Sequence, residues 1–245
     1  IKSLPGTLKS SFRKIKKVNV LENNEMDNNA DNIEVEMIER FVDLKDQKVL
    51  EIGCGEGRLS ALLANKPETY IAIDPDEQSI KKAKSEFPEV DFRIGTGETL
   101  AFEDSSIPII LFTFSLHHQD SQLALKEAHR VLSRDGRVII IEPTADGELT
   151  QFYSLFDDET ERLQETLKII EACEFTIEHK ETFLTTTSFN NRDELIDYPF
   201  AREKIHLDDR ERIIRKLNQL RGPVKHDQAI TLKDDCYVFS LRKKR

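Results

Sequence analysis

The sequence predicts an α/β protein built on a doubly wound, seven-stranded sheet with helices on both faces. Three observations carry this expectation. Between Lys48 and Glu142 short apolar strands alternate with amphipathic helices, the pattern of parallel βαβ units. The run IPIILFTFS (107–115) is almost continuously apolar, as suits a strand covered on both faces. A glycine-rich turn, EIGCGEG (51–57), stands where the first strand passes into the first helix of this series.

Each element follows in order. Residues 1–20 form a basic arm, with Leu8, Phe12 and Ile15 at helical spacing, and a polar loop follows to Asn32. Asp31 and Glu34 read as a capping pair for a helix whose apolar face is Ile33, Met37, Phe41 and Leu44. Strands are expected at 48–52, 69–74, 90–94, 107–115 and 137–142. The helices between them are marked by Leu59, Leu62 and Leu63, by Ile80, Ala83 and Phe87, and by Ala124, Ala128, Val131 and Leu132. Beyond these, Leu163, Leu167 and Ile170 mark a helix and 175–184 a sixth strand. Residues 191–198 form a short helix. Asp208 and Glu211 cap a helix carrying Ile213, Ile214, Leu217 and Leu220, and 236–241 is the seventh strand. The run LTTTSFNN (184–191) reads as a loop.

Composition narrows the function classes. A chain of 245 residues, 38% hydrophobic, can bury a full core without staples. No run approaches the ~18 apolar residues that span a bilayer, and the first residues show no signal-peptide pattern, so a cytoplasmic location is expected. Cys54, Cys173 and Cys236 are too few and too scattered for a disulfide framework. The net charge of −10 argues against a nucleic-acid partner held by bulk charge. The six Lys/Arg of residues 1–20 and the basic tail Arg242–Arg245 are the local exceptions.

In the turn, Gly53, Gly55 and Gly57 alternate as G-x-G-x-G. Glycine lets the backbone bend sharply and lets a ligand approach with no Cβ in the way. A nucleotide-like ligand is the natural occupant of a strand–turn–helix of this kind. The dinucleotide fingerprint would place its third glycine where Arg58 stands, which counts against a nicotinamide dehydrogenase. Glu51, just before the turn, suits a ligand with a cationic amino group better than a pyrophosphate. Asp74, ending the second strand, can accept hydrogen bonds from both hydroxyls of a ribose. Acid at both ends of the pocket describes an amino acid joined to a nucleoside.

With these residues in place, the chain resembles the class I S-adenosylmethionine-dependent methyltransferases, and among them the UbiE-like, type 11 group. The resemblance runs through VLEIGCGEGRLS (49–60), YIAIDPD (70–76), GTGETLAF (95–102), LFTFSLHH (111–118) and LKEAHRVLSRDGRVIIIEP (125–143). It implies a Rossmann-like, mostly parallel sheet whose last strand is antiparallel. It implies S-adenosylmethionine as cofactor, with S-adenosylhomocysteine as product. Glu51 and the turn Gly53, Cys54, Gly55 and Gly57 would hold the methionine part. Asp74 would take the ribose, Pro75 would lie beside the adenosine, and Thr96, Gly97 and Glu98 would border the adenine. Ser115 and Leu116 would lie near the sulfonium, with His117 and His118 as candidate bases where the acceptor enters. Two positions depart from the family: Thr96 replaces the usual acid, and Ile107-Pro108 replaces Phe-Asp at the start of the fourth strand.

The implied domain organisation is an N-terminal arm and cover helix (1–46) followed by the methyltransferase domain (47–245). That domain comprises a cofactor half (47–143) and a variable substrate cover with the last strands (144–245). A small-molecule acceptor, methylated on O, N or C, is the leading reading, in a monomer or homodimer. The alternatives are an RNA or protein methyltransferase, supported by the basic arm, and a non-catalytic cofactor-binding regulatory subunit. Phe152, Tyr153, Phe156, Tyr198, Pro199 and Phe200 line a pocket or belong to the core. No metal is expected: adjacent residues leaving a strand point apart, and no Cys or acid lies near the histidines at a known ligand spacing.

Overall fold

The computed structural model describes residues 33–155, 157–196 and 210–244. The basic arm, Asp31, Phe156, Tyr198, Pro199, Phe200, Asp208 and Arg245 lie outside the described residues.

The elements run α1 (Ile33–Phe41), β1 (Lys48–Ile52), α2 (Ser60–Leu63), β2 (Thr69–Asp74), α3 (Glu77–Glu86), β3 (Asp91–Ile94) and β4 (Ile107–Thr113). A 3-10 turn at Leu116–His118 leads to α4 (Ser121–Val131) and β5 (Leu132–Pro143). Then come α5 (Glu148–Tyr153), α6 (Thr160–Ala172), β6 (Phe175–Phe189), α7 (residues 192–196), α8 (Arg210–Arg221) and β7 (Ile230–Lys243). The seven strands form one sheet in the order β3-β2-β1-β4-β5-β7-β6. β1 to β5 are parallel, and β7 runs antiparallel to both β5 and β6.

The side-chain alternation of β1 sorts the core. Leu50 and Ile52 face one side, packing with Ile110, Phe112 and Ile140 against Ala124, Ala128 and Val131 of α4 and Ile170 of α6. Val49 faces the other, with Ala72, Leu111 and Ile139, under Ile38 of α1, Leu63 of α2, and Ile80 and Ala83 of α3. Pro108 is tolerated in a central strand because the ladder breaks there. Ile107 pairs with Leu132 and Ile109 with Arg137, so the irregularity of β5 falls opposite a residue that cannot donate.

Two sequence expectations change. The first helix ends at Phe41, short of Leu44, and α2 is only four residues long, so the groups lining its approach belong to the turn at 53–59 rather than to a helix end. LTTTSFNN is not a loop through most of its length: β6 continues to Phe189, paired with β7 from Leu184↔Asp235 to Phe189↔Ile230. The β-branched threonines fit a pleated strand, and the Thr185 hydroxyl donates to Asp234 O (3.2 Å) across the ladder. Cys236–Leu241 of β7 pairs with β5, while Ile230–Asp235 pairs only with β6. This overhang has its own core: Phe152 of α5, Phe189, Leu195 and Ile196 of α7, Ile213 and Leu217 of α8, Ile230 and Leu232. Phe152 is therefore core, not pocket lining.

Candidate functional site

The glycine turn is anchored at its base. Gly53 N–H (2.8 Å) and Cys54 N–H (3.0 Å) both donate to Ile73 O of β2. Gly53 has φ +79°, and a Cβ there would lie 2.3 Å from the Cβ of Ser115, so the β4 exit packs directly on the turn. Gly55 has φ +52°, and no atom lies within 4 Å of where its Cβ would stand. That open side is the cradle a ligand needs. Gly57 also has positive φ and packs against the Phe92 ring.

Asp74 faces this cradle. Its Oδ2 accepts Gly55 N–H (2.8 Å) and its Oδ1 accepts Asp76 N–H (2.9 Å). Each oxygen retains lone-pair capacity for a further donor. The N-cap of α3 is Asp76, which accepts from Gln78 and Ser79, so Asp74 is not consumed as a helix cap. Ile94 pairs with Asp74 in the ladder and is 60% exposed, giving the site an apolar rim that the sequence did not single out. Pro75 and Thr96 are exposed.

Glu51 is 2% exposed beneath the turn. Its Oε2 accepts the hydroxyls of Ser60 (2.5 Å) and Tyr70 (2.9 Å), tying the start of α2 to β2. Burial raises its pKa; the two hydroxyl donors and Arg58 oppose that shift. Cys54 is buried and burial pushes its thiol up, so it fills space beside the turn as a neutral thiol.

Further along, Gln119 ties two segments together. Its Oε1 accepts Gly97 N–H (3.1 Å) and its Nε2 donates to Ser115 O (3.1 Å). Glu98 accepts Asp120 N–H (3.0 Å) at the start of α4. Ser115 donates to Ile52 O (2.6 Å), which fixes it against Gly53. Leu116 is the residue expected beside Ser115 near a sulfonium. Its side chain is fully buried in the core on the α4 and α6 side, and its N–H donates to Glu142 Oε1 (2.8 Å).

The two histidines do not point apart. The chain leaves β4 through Phe114, at φ +52°, and enters a 3-10 turn that brings the His117 and His118 rings to 3.9 Å between centroids. His117 is buried; its Nδ1 lies 2.5 Å from Glu142 Oε2 and its Nε2 3.5 Å from Glu159 Oε2. Burial alone would lower the His117 pKa, but the Glu142 and Glu159 carboxylates outweigh it and raise it to about 9. His118 has a 51% exposed side chain, and burial of the rest, with His117 beside it, lowers its pKa. At neutral pH His118 is thus the group able to accept a proton and His117 is not.

Glu142, Glu159 and Gln119 escaped the sequence reading. Glu142 had a signal, since an acid ending an otherwise apolar, doubly covered strand must have a partner. Glu159 had none: it is the N-cap of α6, distant in sequence, and its carboxylate turns to the histidines instead of capping the helix.

Residues 50–140 match the methyltransferase domain family. An uncharacterised methyltransferase of Schizosaccharomyces pombe is 33% identical over 94 residues, 38% of this chain and 38% of that protein. The ubiquinone/menaquinone biosynthesis C-methyltransferase UbiE of Campylobacter jejuni is 33% identical over 108 residues, 41% of this chain and 46% of that one. The matched stretch thus spans less than half the length of these curated relatives. The solved YcgJ protein of Bacillus subtilis shares the fold, with a TM-score of 0.64 at 22% identity over 86% of this chain and 98% of its own. Residues 50–140 are thus similar to the methyltransferase domain of these proteins, and the sheet on which they stand has the fold of the solved neighbour.

Proposed function

We propose that the protein transfers a methyl group from S-adenosylmethionine to an O, N or C atom of a small molecule. The observation that carries this reading is the open cradle at Gly55, with the Asp74 carboxylate bonded to Gly55 N–H at its edge. The residues fit the cofactor. Gly55 admits the ligand, Asp74 has acceptor capacity left for two ribose hydroxyls, and exposed Ile94 offers an apolar surface to a base. Thr96 supplies a hydroxyl where the family has an acid, and Gly97 and Glu98 continue that border. Glu51 beneath the turn is the acid that would favour an ammonium above it.

When bound, S-adenosylmethionine supplies an electrophilic methyl whose leaving group is neutral and needs no acid. The chain must then align the acceptor in line and exclude water. Such positioning can contribute up to about 7–11 kcal/mol. Where the nucleophile holds a proton and no ion occupies the histidine pair, His118 is the base, and His117 stays protonated between Glu142 and Glu159. A small-molecule acceptor accords with the net charge of −10, which repels a phosphate backbone. The segment 144–230 is the proposed acceptor cover. No described helix is long and apolar enough to cross a membrane.

Calorimetric titration with S-adenosylmethionine, S-adenosylhomocysteine and NAD tests the cofactor. Saturable binding of the first two and none of NAD is expected. Binding of neither would overturn the assignment and leave a regulatory, non-catalytic role. Labelled methyl transfer to bulk RNA or protein, exceeding transfer to extracted metabolites, would overturn the small-molecule reading.

A further inference from the structure

We infer that His117, His118 and Glu159 form a binding site for a divalent transition-metal ion, with zinc the best match. Each residue offers one ligand atom, and these atoms all lie within 4.8 Å of one another. Two imidazoles and one carboxylate are a donor set that suits zinc and its neighbours, and three protein ligands leave a position open.

The donors and acceptors leave a place for a positive charge here. Glu142 is a carboxylate, so at 2.5 Å from its Oε2 the His117 Nδ1 must carry the donated hydrogen. Without a second proton, the ring presents a bare lone pair at Nε2. This nitrogen is buried and has no hydrogen-bond partner. It faces Glu159 Oε2, which is also an acceptor, at 3.5 Å. Two acceptors face each other, and something positive must stand between them: a proton or a metal ion. The separation decides which is the better fit. It exceeds the ~2.7–3.2 Å of an N–H···O bond, whereas ligands about 2.0–2.1 Å from a tetrahedral zinc stand ~3.3–3.4 Å apart. His118 Nδ1 lies at the same 3.5 Å from Glu159 Oε1, so one carboxylate is shared between both rings at ligand-edge distance.

The surroundings are those of a metal centre. Glu142 behind His117 completes a carboxylate–histidine–metal arrangement, which fixes the tautomer and holds the ring. Glu142 is itself held by Leu116 N–H (2.8 Å), and Arg162 holds Glu159 Oε1 from outside (3.0 Å). An ion displaces the Nε2 proton to solvent, while Nδ1–H stays on Glu142. The site begins two residues after Ser115, which packs on Gly53 of the cofactor turn. An ion with an open position there would hold a hydroxyl or carboxylate of the acceptor. That role rests on the methyltransferase reading; ion binding does not, so separate titrations with zinc and with S-adenosylmethionine distinguish the two failures.

The test uses the full chain, stripped with a chelator and titrated with zinc chloride by calorimetry, and loaded in parallel with cobalt(II) for its visible spectrum. Saturable binding at a single site is expected, with ligand-field bands of low coordination number and no thiolate charge-transfer band. Glu159→Gln and His118→Ala are each expected to weaken zinc binding by about tenfold or more, with the unfolding midpoint unchanged. Glu142→Gln, a positioning variant, should weaken it by about 10–100-fold and shift the cobalt bands. No saturable zinc binding, a thiolate band, or wild-type affinity in Glu159→Gln or His118→Ala would overturn the site.

Discussion

The cofactor half and the overhang of β6 and β7 are of similar chemistry but are assembled by different rules. In the first, β1, β2 and β4 are each followed by a helix that packs on the sheet, and the glycine turn joins neighbours in sequence. In the second, the parts that touch are remote. Asp234 of β7 accepts Leu149 N–H (3.1 Å) and Thr150 N–H (3.2 Å) at the start of α5, a helix cap supplied from 84 and 85 positions away. Arg221 of α8 pairs with Glu148 of α5, and Phe152 packs with Phe189 and Leu217. The candidate site straddles these two kinds of assembly. Its cradle is made inside the cofactor half, while the carboxylate facing its histidines comes from the segment beyond. A local rule produces the glycine turn with Asp74; a long-range one brings Glu159 to the histidines.

If the two regions are separable, damage to one should spare the other. The largest effect is expected from Phe152→Ala, which removes a fully buried ring from the satellite core and should cost about 3–5 kcal/mol. Hydrogen exchange should show α5, α8 and the outer ends of β6 and β7 opening while β1 and β4 stay protected. Equal loss of protection in β1 would show one cooperative unit. Gly53→Val strikes the other region: a side chain at φ +79° with Ser115 2.3 Å from its Cβ should cost about 2–5 kcal/mol and abolish S-adenosylmethionine binding. Thermal unfolding with calorimetry checks both, and retained affinity would show that the ligand avoids the turn.

Asp74→Ala sharpens the comparison at smaller cost. It removes the acceptor of Gly55 N–H and two charge-assisted bonds to a ribose, so affinity should fall more than tenfold in calorimetric titration. Unchanged affinity would refute the ribose assignment. The smallest effect has the opposite sign. The Thr186 hydroxyl is buried in the overhang with no hydrogen-bond partner. Thr186→Val should therefore stabilise the protein by about 0.5–1 kcal/mol in denaturant titration, with cofactor affinity unaltered.

What could be read without the fold follows the same division. Strands β1 and β2 fall on the residues expected, and Asp74 stands opposite the glycine turn, because apolar runs and glycine spacing act within a few residues. Reading 184–191 as a loop failed because threonine and asparagine favour turns locally. Only a partner strand, Ile230–Asp235, makes that segment a strand. Reading the histidine pair as divergent failed at Phe114, whose positive φ ends the strand before the rings emerge. The expectation of no metal ligands sought an acid nearby in sequence, whereas Glu159 arrives through α6, and the proposed zinc titration decides between the two.

The sequence by itself determined the α/β alternation, the turn at 51–57 and the acid at Asp74, since each depends on backbone conformation and periodicity over a short span. Tertiary structure alone decided that Glu51 is tied to Ser60 and Tyr70, that Leu116 is core, and that Glu142, His117, His118 and Glu159 converge. Those outcomes depend on which distant segments share a layer, and burial presses most polar groups to find partners among whatever the fold brings within reach.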